Sequence, residues 1–323
     1  MGICLFYMIK MMHTFLLSLC LPLLACSCGH TAKQSSVQSS PVVQEKTTRS
    51  VESQSCSTAF LRDSVIYTKA DSAKVESMLR ESPQGNDVLF FARKFIGIPY
   101  VASTLEVADP ERLVVNLRQL DCTTLVETVL ALTMTKRQNA TDFNTYCHNL
   151  MKLRYRDGQM NGYLSRLHYF TWWMHNNIDN GLVREVSDEV HFTAPMIVKN
   201  YYMTAHPTSY KFLKDHPEWV DSIAVMEKEH AGRDGNFLPE SQTRLGKSAL
   251  SVIHDGDIVA IVTKKAGIDY SHLGFAVWAK DGKLHLLNAS SIHHKVVEEP
   301  KTLFQYLKEH PSSIGIRLLR LCN

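Results

Sequence analysis

No charge of either sign dominates the 323-residue chain, because 35 Lys and Arg stand against 32 Asp and Glu. A formal net charge of +3 is far from the concentrated basic surface that phosphate-backbone binding needs, so we exclude nucleic acid as a partner. The sequence also lacks a Gly-rich phosphate loop, a Ser-centred nucleophile elbow and a His-Glu-x-x-His zinc motif. We therefore predict no cofactor and no metal.

Long apolar runs are scarce as well. The apolar run Phe15 to Ala25 follows Lys10 and ends at Cys26, and it is too short for a comfortable membrane span. It predicts a signal peptide over residues 1–25. Leu23-Leu24-Ala25-Cys26 resembles the lipobox of bacterial lipoproteins, which implies lipidation at Cys26, a membrane partner through that anchor, and a place in the bacterial cell envelope facing the periplasm. An ordinary secretory signal cleaved near Ala25 is the alternative.

Residues 26–57 are rich in Ser, Thr, Gln and Val and show no period, so they cannot bury enough apolar surface to fold and are predicted to be a flexible tether. Of the eight cysteines, Cys122, Cys147 and Cys322 alone belong to the predicted folded part. Three widely spaced cysteines do not make a disulfide framework, so at least one is expected to be a free thiol.

The folded part changes its period along the chain. Helical spacing is found in 71–81, in 86–95 and in the largely apolar 120–132, whereas 256–262, 272–278, 284–288 and 314–319 read as strands, with a hairpin signal at Asp281-Gly282. Helices followed by antiparallel strands predict an α+β fold. We divide it into a helical half (58–138), an inserted, mainly helical subdomain (139–249) and a sheet half (250–323).

Cys122 lies at the start of the predicted helix 120–132, after the capping residue Asp121. First-turn N–H groups and the helix dipole are expected to lower the thiol pKa. A Cys at a helix start, His272 on one strand and Asn288 on the next make the constellation of a cysteine hydrolase, in which the His takes the thiol proton and the third residue orients the imidazole. Considered singly, each residue has a simpler interpretation, as a buried hydrophobe, a core histidine and a strand-end residue.

Five motifs occur in one order: Gly97-Ile98-Pro99-Tyr100, Asp121-Cys122-Thr123-Thr124, Asp255-Gly256-Asp257-Ile258-Val259, Ser271-His272-Leu273-Gly274 and Leu287-Asn288-Ala289-Ser290. In this order they resemble NlpC-type papain-like cell-wall peptidases, over about 87–132 and 251–319. The long insertion resembles the N-acetylmuramoyl-L-alanine amidase-like branch. The resemblance implies a hydrolase of peptidoglycan or muropeptide amide bonds, with Cys122 as nucleophile, His272 as base, Asn288 as orienting residue and Tyr100 near the oxyanion.

Substrate-binding residues are predicted in two places. Asp121, Thr123 and Ser271 flank the nucleophile and the base, and Thr123-Thr124 replaces the Ser-Gly that is usual in the NlpC-type family. In the insertion, Arg166 is expected to pair with a lactyl or peptide carboxylate, while His168 and Tyr169 are expected to line a sugar groove. The alternative for this second group is an amphipathic helix docked on the core.

From these residues and from what the resemblance implies, we predict a thiol-dependent amidase that cleaves the bond between N-acetylmuramic acid and L-Ala. The alternatives are an endopeptidase for the γ-D-glutamyl-diamino acid bond and a lipoprotein that binds wall fragments without catalysis. A zinc amidase is disfavoured, because His293-His294 has no partner ligands at metal spacing.

Overall fold

The computed structural model describes residue 60 and residues 62–323. The predicted signal peptide (1–25), the predicted lipidation site Cys26 and the predicted tether (26–57) lie outside the described residues. Within the described part, no helix is both long enough and apolar enough to cross a membrane.

Five helices of the described residues begin where a short polar side chain accepts a hydrogen bond from a free first-turn N–H group. Thr68, Asn86, Asp121, Asp142 and Thr302 each cap a helix in this way. The α-helices of the described residues are α1 (Lys69–Arg80), α2 (Asp87–Arg93), α3 (Cys122–Arg137), α4 (Phe143–Arg154), α5 (Phe170–Asp179), α6 (Tyr202–Ala205), α7 (Lys211–Asp215), α8 (Val220–Glu229) and α9 (Leu303–Lys308). Short 3-10 turns lie at Arg156–Gly158, Tyr163–Ser165, Pro207–Ser209, Pro217–Trp219 and Glu240–Arg244.

Most strands belong to one antiparallel sheet. The strands are β1 (Val65–Ile66), β2 (Leu113–Val114), β3 (Val183–Val186), β4 (Ala194–Val198), β5 (Gly232–Pro239), β6 (Ile258–Thr263), β7 (Tyr270–Trp278), β8 (Leu284–Ser290), β9 (Lys295–Glu298) and β10 (Ser313–Leu321). The large sheet has the order β4-β5-β10-β6-β7-β8-β9, with β3 also paired to β10. Strands β1 and β2 form a separate parallel pair. The fold is therefore mixed α+β with an antiparallel sheet, as the sequence predicts.

The large sheet is covered on both faces, which is why β6 is apolar at nearly every position. Ile258 and Val262 join the larger core, together with α3 and α4, whereas Val259 and Ile261 join a smaller core with α9. Twelve of the sixteen residues of α3 are buried. A helix enclosed in this way holds its first residue in a fixed position against β7 and β8, which it contacts.

Residues 139–249 contain more helical than strand residues, and their strands belong to the large sheet. They contribute helices α4 to α8 but also three strands, of which β3 and β5 pair with β10 and β4 pairs with β5. The described residues cluster into one compact unit. The proposed boundaries of the insertion stay a prediction.

Candidate active site

The start of α3 is built by a capping box around Asp121. The Asp121 carboxylate accepts from the Thr124 backbone N–H at 2.8 Å, and the Thr124 hydroxyl accepts from the Asp121 N–H at 2.9 Å. Cys122 is the first residue of the helix, as the sequence predicts. The Asp121 carboxylate, predicted to bind substrate, thus also fixes the helix start.

The backbone N–H of Leu273 and both the N–H and the hydroxyl of Thr123 lie close enough to the Cys122 sulfur to lower its pKa. These donors favour the thiolate, but burial and the neighbouring Asp121 carboxylate act against it and raise the pKa of Cys122 to about 12. The sequence-based expectation of a lowered thiol pKa is therefore wrong for this structure. The helix start is present, but desolvation of the thiol outweighs it.

His272 and Asn288 are joined directly, since His272 Nε2 lies 2.9 Å from Asn288 Oδ1. Burial lowers the pKa of His272, opposed by the Asn288 hydrogen bond and by the carboxylates of Glu299 and Asp121. The raised pKa of Cys122 and the lowered pKa of His272 both favour a neutral thiol and a neutral imidazole. Because Asn288 contacts His272 at Nε2, Nδ1 is the ring nitrogen that Asn288 does not engage.

A β-bulge aims His272. Ile261 pairs with His272 while Val262 pairs with Tyr270, so that Ser271 is an extra residue in β7. Bulges of this kind re-aim side chains beside active sites. Ser271 is half-buried at this irregular position directly before His272, where the sequence predicts a substrate-binding residue.

A close approach of β7 and β8 accompanies the contact between His272 and Asn288. A Cβ added to Gly274 would lie 2.6 Å from the Leu287 carbonyl oxygen and 2.7 Å from a Leu286 methyl carbon. No larger residue fits at this position without moving the neighbouring backbone. Gly274 thus lets the two strands that carry the imidazole and the amide approach each other.

Tyr100 lies near Cys122. Its pKa is raised to about 12, first by burial and then by the nearby Cys122 and Asp121, so the phenol keeps its proton at neutral pH and can donate it to a developing oxyanion. The Tyr100 N–H donates to the His294 carbonyl at 3.0 Å. The loop after β8 therefore holds Tyr100 in place.

Two side chains near Asn288 have no role in the sequence analysis. Glu299, directly after β9, is 4% exposed, and its Oε1 accepts from Asn288 Nδ2 at 3.0 Å. Its Oε2 lies 3.2 Å from His293 Nε2. The sequence analysis considers His293 only as a metal ligand, and no motif marks Glu299, because both contacts depend on pairing between β8 and β9.

Arg166 lies in a buried network of charges. Its guanidinium makes a bidentate pair with Glu111, with Nε–Oε1 at 3.0 Å and Nη2–Oε2 at 2.7 Å, and it also contacts Glu106. Arg166 is 6% exposed. These internal carboxylates occupy the donors that the sequence assigns to a substrate carboxylate, so we leave Arg166 out of the proposed binding site.

His168 and Tyr169 also have internal partners. His168 Nε2 lies 2.9 Å from the Tyr163 carbonyl oxygen, and burial and the neighbouring Arg166 lower its pKa to about 3. The Tyr169 hydroxyl donates to Glu227 at 2.7 Å and accepts from the Met203 N–H at 2.8 Å. These contacts favour the alternative of a segment docked on the core, and neither residue enters the proposed site.

Among residues 62–323, no group of three or more His, Cys, Asp or Glu side chains is arranged to hold a metal ion. The three described cysteines are free thiols. What the structure brings together is a thiol at a helix start, an imidazole bonded to an amide, a phenol and a buried carboxylate.

The chain matches the family model for AmiA-like, N-acetylmuramoyl-L-alanine amidase-like proteins over residues 90–316. The chain belongs to this family. Among solved structures, an N-acetylmuramoyl-L-alanine amidase from Bacteroides uniformis shares 40% identity and a TM-score of 0.68, covering 73% of this chain and 98% of that one. Family membership confirms an amidase-like hydrolase and indicates peptidoglycan as its substrate.

Two further structures have other names. A Bacteroides fragilis protein provisionally named a xylanase is 40% identical, with a TM-score of 0.66, covering 71% of this chain and 99% of that one. Protein LPG0564 from Legionella pneumophila is 19% identical with a TM-score of 0.58, covering 85% of this chain and 97% of that one, and shows the fold alone. No curated protein matches the chain.

Proposed function

We propose that the chain is a cysteine-dependent amidase that cleaves the bond between the lactyl group of N-acetylmuramic acid and L-Ala. The observation that carries the proposal is the His272–Asn288 pair at 2.9 Å, with the N–H of Leu273, the residue after His272, close to the Cys122 sulfur. This arrangement supplies a nucleophile, a base and an orienting group in one place. It is also consistent with a papain-like core of the NlpC type, which we propose as the finer classification.

The reaction would proceed in two halves. His272 Nδ1 accepts the thiol proton as the Cys122 sulfur attacks the lactyl carbonyl carbon, and first-turn N–H groups of α3 with the Tyr100 hydroxyl stabilise the oxyanion. The imidazolium then protonates the L-Ala nitrogen, the C–N bond breaks and a thioester remains. Water, deprotonated by His272, attacks the thioester, which releases the muramic acid carboxylic acid and restores the thiol.

Substrate preference tests which amide is cut. We expect a defined muramyl peptide to yield the free sugar acid and the intact stem peptide, and the same stem peptide without its sugar to remain uncut, since it has no lactyl–L-Ala amide. The measurement is mass spectrometry of both reactions, with rates from the same time courses. Equal or faster cleavage of the free peptide at its γ-glutamyl bond would favour the endopeptidase instead.

The xylanase name of one similar structure does not fit this site. Glycosidases generally use two carboxyl groups that flank the scissile bond, one of which must donate a proton. The carboxylates nearest to Cys122 and His272 are Asp121, which caps α3, and Glu299, which accepts from Asn288. Both are already held by internal hydrogen bonds, so the thiol chemistry fits better.

We also propose, from the sequence alone, that the mature protein is a lipoprotein anchored through Cys26 in the bacterial cell envelope. Stable attachment requires more than one lipid chain, as bacterial lipoproteins carry. We expect the full-length protein in the membrane fraction, and Cys26→Ser either in the soluble fraction or unprocessed. Cys28→Ser is the matched control and should remain membrane-bound. Wild-type protein found entirely in the soluble fraction would favour an ordinary secretory signal.

A further inference from the structure

The Asn288 amide lies between two partners of different kinds. On one side its Oδ1 lies 2.9 Å from His272 Nε2, and on the other its Nδ2 donates to Glu299 Oε1 at 3.0 Å. Asn288 is fully buried and Glu299 is 4% exposed. Because neither residue has ready access to water, each must satisfy its hydrogen bonds within this chain of contacts.

An ionised carboxylate can only accept hydrogen bonds, whereas an amide can turn either its oxygen or its nitrogen toward a neighbour. As an acceptor, the Glu299 carboxylate holds the NH₂ end of Asn288, which turns the amide oxygen toward His272. His272 must then carry its proton on Nε2 in order to donate to that oxygen. The lone pair on Nδ1 is left available to accept the proton of Cys122.

Resting on the function proposed above, we propose that Glu299 is a positioning residue that sets the orientation of Asn288 and, through it, the tautomer of His272. His293 Nε2, 3.2 Å from Glu299 Oε2, supports it by satisfying the second carboxylate oxygen. Orienting partners of this kind, one step removed from the reacting groups, fix ring tautomers in many active sites.

The charges around this chain of contacts are consistent with the proposal. The carboxylates of Glu299 and Asp121 both raise the pKa of His272, against the larger effect of burial. Tyr306, whose ring centroid lies 6.4 Å from that of His272, has its pKa raised by burial, by Glu299 and by Cys122. Two other imidazoles contact Glu299: His293 through its carboxylate, at 3.2 Å, and His285, whose Nδ1 lies 2.9 Å from the Glu299 carbonyl oxygen.

The main test replaces Glu299 by Leu, which removes the acceptor and retains most of the volume. We expect kcat for a muramyl peptide to fall about 10- to 100-fold with KM unchanged, because Glu299 does not contact the substrate. In an Asn288→Ala background the same change should lower kcat far less, since the route through the Asn288 amide is absent and only the charge of Glu299 still acts on His272. Glu298→Gln, at the neighbouring and more exposed carboxylate, is the matched control and should behave as wild type.

Glu299→Gln supplies a second readout and keeps the test decisive if the Leu variant does not fold. Losing the negative charge lowers the pKa of His272, so the acid limb of kcat/KM, where activity appears as His272 loses its proton, should move to lower pH. The pH dependence of Cys122 alkylation by iodoacetamide should shift in the same direction without any substrate. An unshifted limb, an unshifted alkylation profile or additive effects with Asn288→Ala would overturn the positioning role.

The two proposals fail in different ways. If Cys122→Ala and His272→Ala retain wild-type turnover, the cysteine mechanism itself is wrong, whatever Glu299 does. If both abolish turnover while Glu299→Leu and Glu299→Gln match wild type in rate and pH profile, only the role of Glu299 is wrong.

Discussion

Replacing Cys122 by Ala is expected to lower kcat/KM for a muramyl peptide by about 10⁵-fold or more, because a triad without its nucleophile retains little catalysis. The fold should be retained. Asp121 still caps α3 through Thr124, and the change removes a single sulfur from a half-buried position. Rates from product analysis, with circular dichroism for the fold, are the measurements.

A matched control comes from the second half-buried thiol. Cys322 follows β10, and its backbone bonds to Leu182 and Arg137 do not involve the sulfur. Cys322→Ser should keep wild-type turnover and sensitivity to iodoacetamide, whereas wild-type turnover by Cys122→Ala would refute the cysteine mechanism. Loss of activity in both variants would point to a general effect of removing thiols on the fold.

Replacing Arg166 by Met is expected to lower the free energy of unfolding by about 3–5 kcal/mol, because it leaves a buried carboxylate without its cation. The Glu111 side chain is 2% exposed, so water cannot replace the guanidinium. Chemical denaturation of wild type and variant measures the difference. Adding Glu111→Gln should recover part of the loss, since the amide carries no charge. The amide oxygen can still accept from the Tyr155 hydroxyl, which lies 2.7 Å from Glu111 Oε1 in the wild-type structure.

The control for Arg166 is an exposed ion pair. Lys301 and Glu309 are about half exposed, so Lys301→Met should change stability by about 1 kcal/mol or less. If Arg166→Met instead proves as stable as wild type but has a raised KM, the sequence-based assignment of Arg166 to a substrate carboxylate would be right and the internal role would be wrong.

Local sequence patterns predict much of the fold and the positions of Cys122, His272 and Asn288 in it. The Asp121 cap and the apolar run after it predict α3, and period-two strands joined at Asp281-Gly282 predict the β7–β8 hairpin that places His272 beside Asn288. In these cases the deciding interactions lie close together in sequence or repeat with a regular period.

What local patterns did not predict depends on contacts distant in sequence. The sequence gives no partner for the Arg166 cation. In the structure, Glu106 and Glu111 contact it from a loop earlier in the chain. The thiol pKa depends on how much protein surrounds Cys122, and a helix start in the sequence carries no information about that. Glu299 lies beside Asn288 only because β8 and β9 pair.

Strand β10 has a consequence for how the protein is made. It is the last strand in the sequence, yet it lies inside the large sheet, with β6 along one edge and β5 and β3 along the other. Its nine residues are synthesised after β3, β5 and β6, so these three strands cannot complete their pairing until β10 has been made. Sheets joined by such distant pairings form slowly. Nascent chains therefore remain unfolded for longer than a helical bundle would, and a premature stop codon before residue 313 removes the strand that joins the two halves of the sheet.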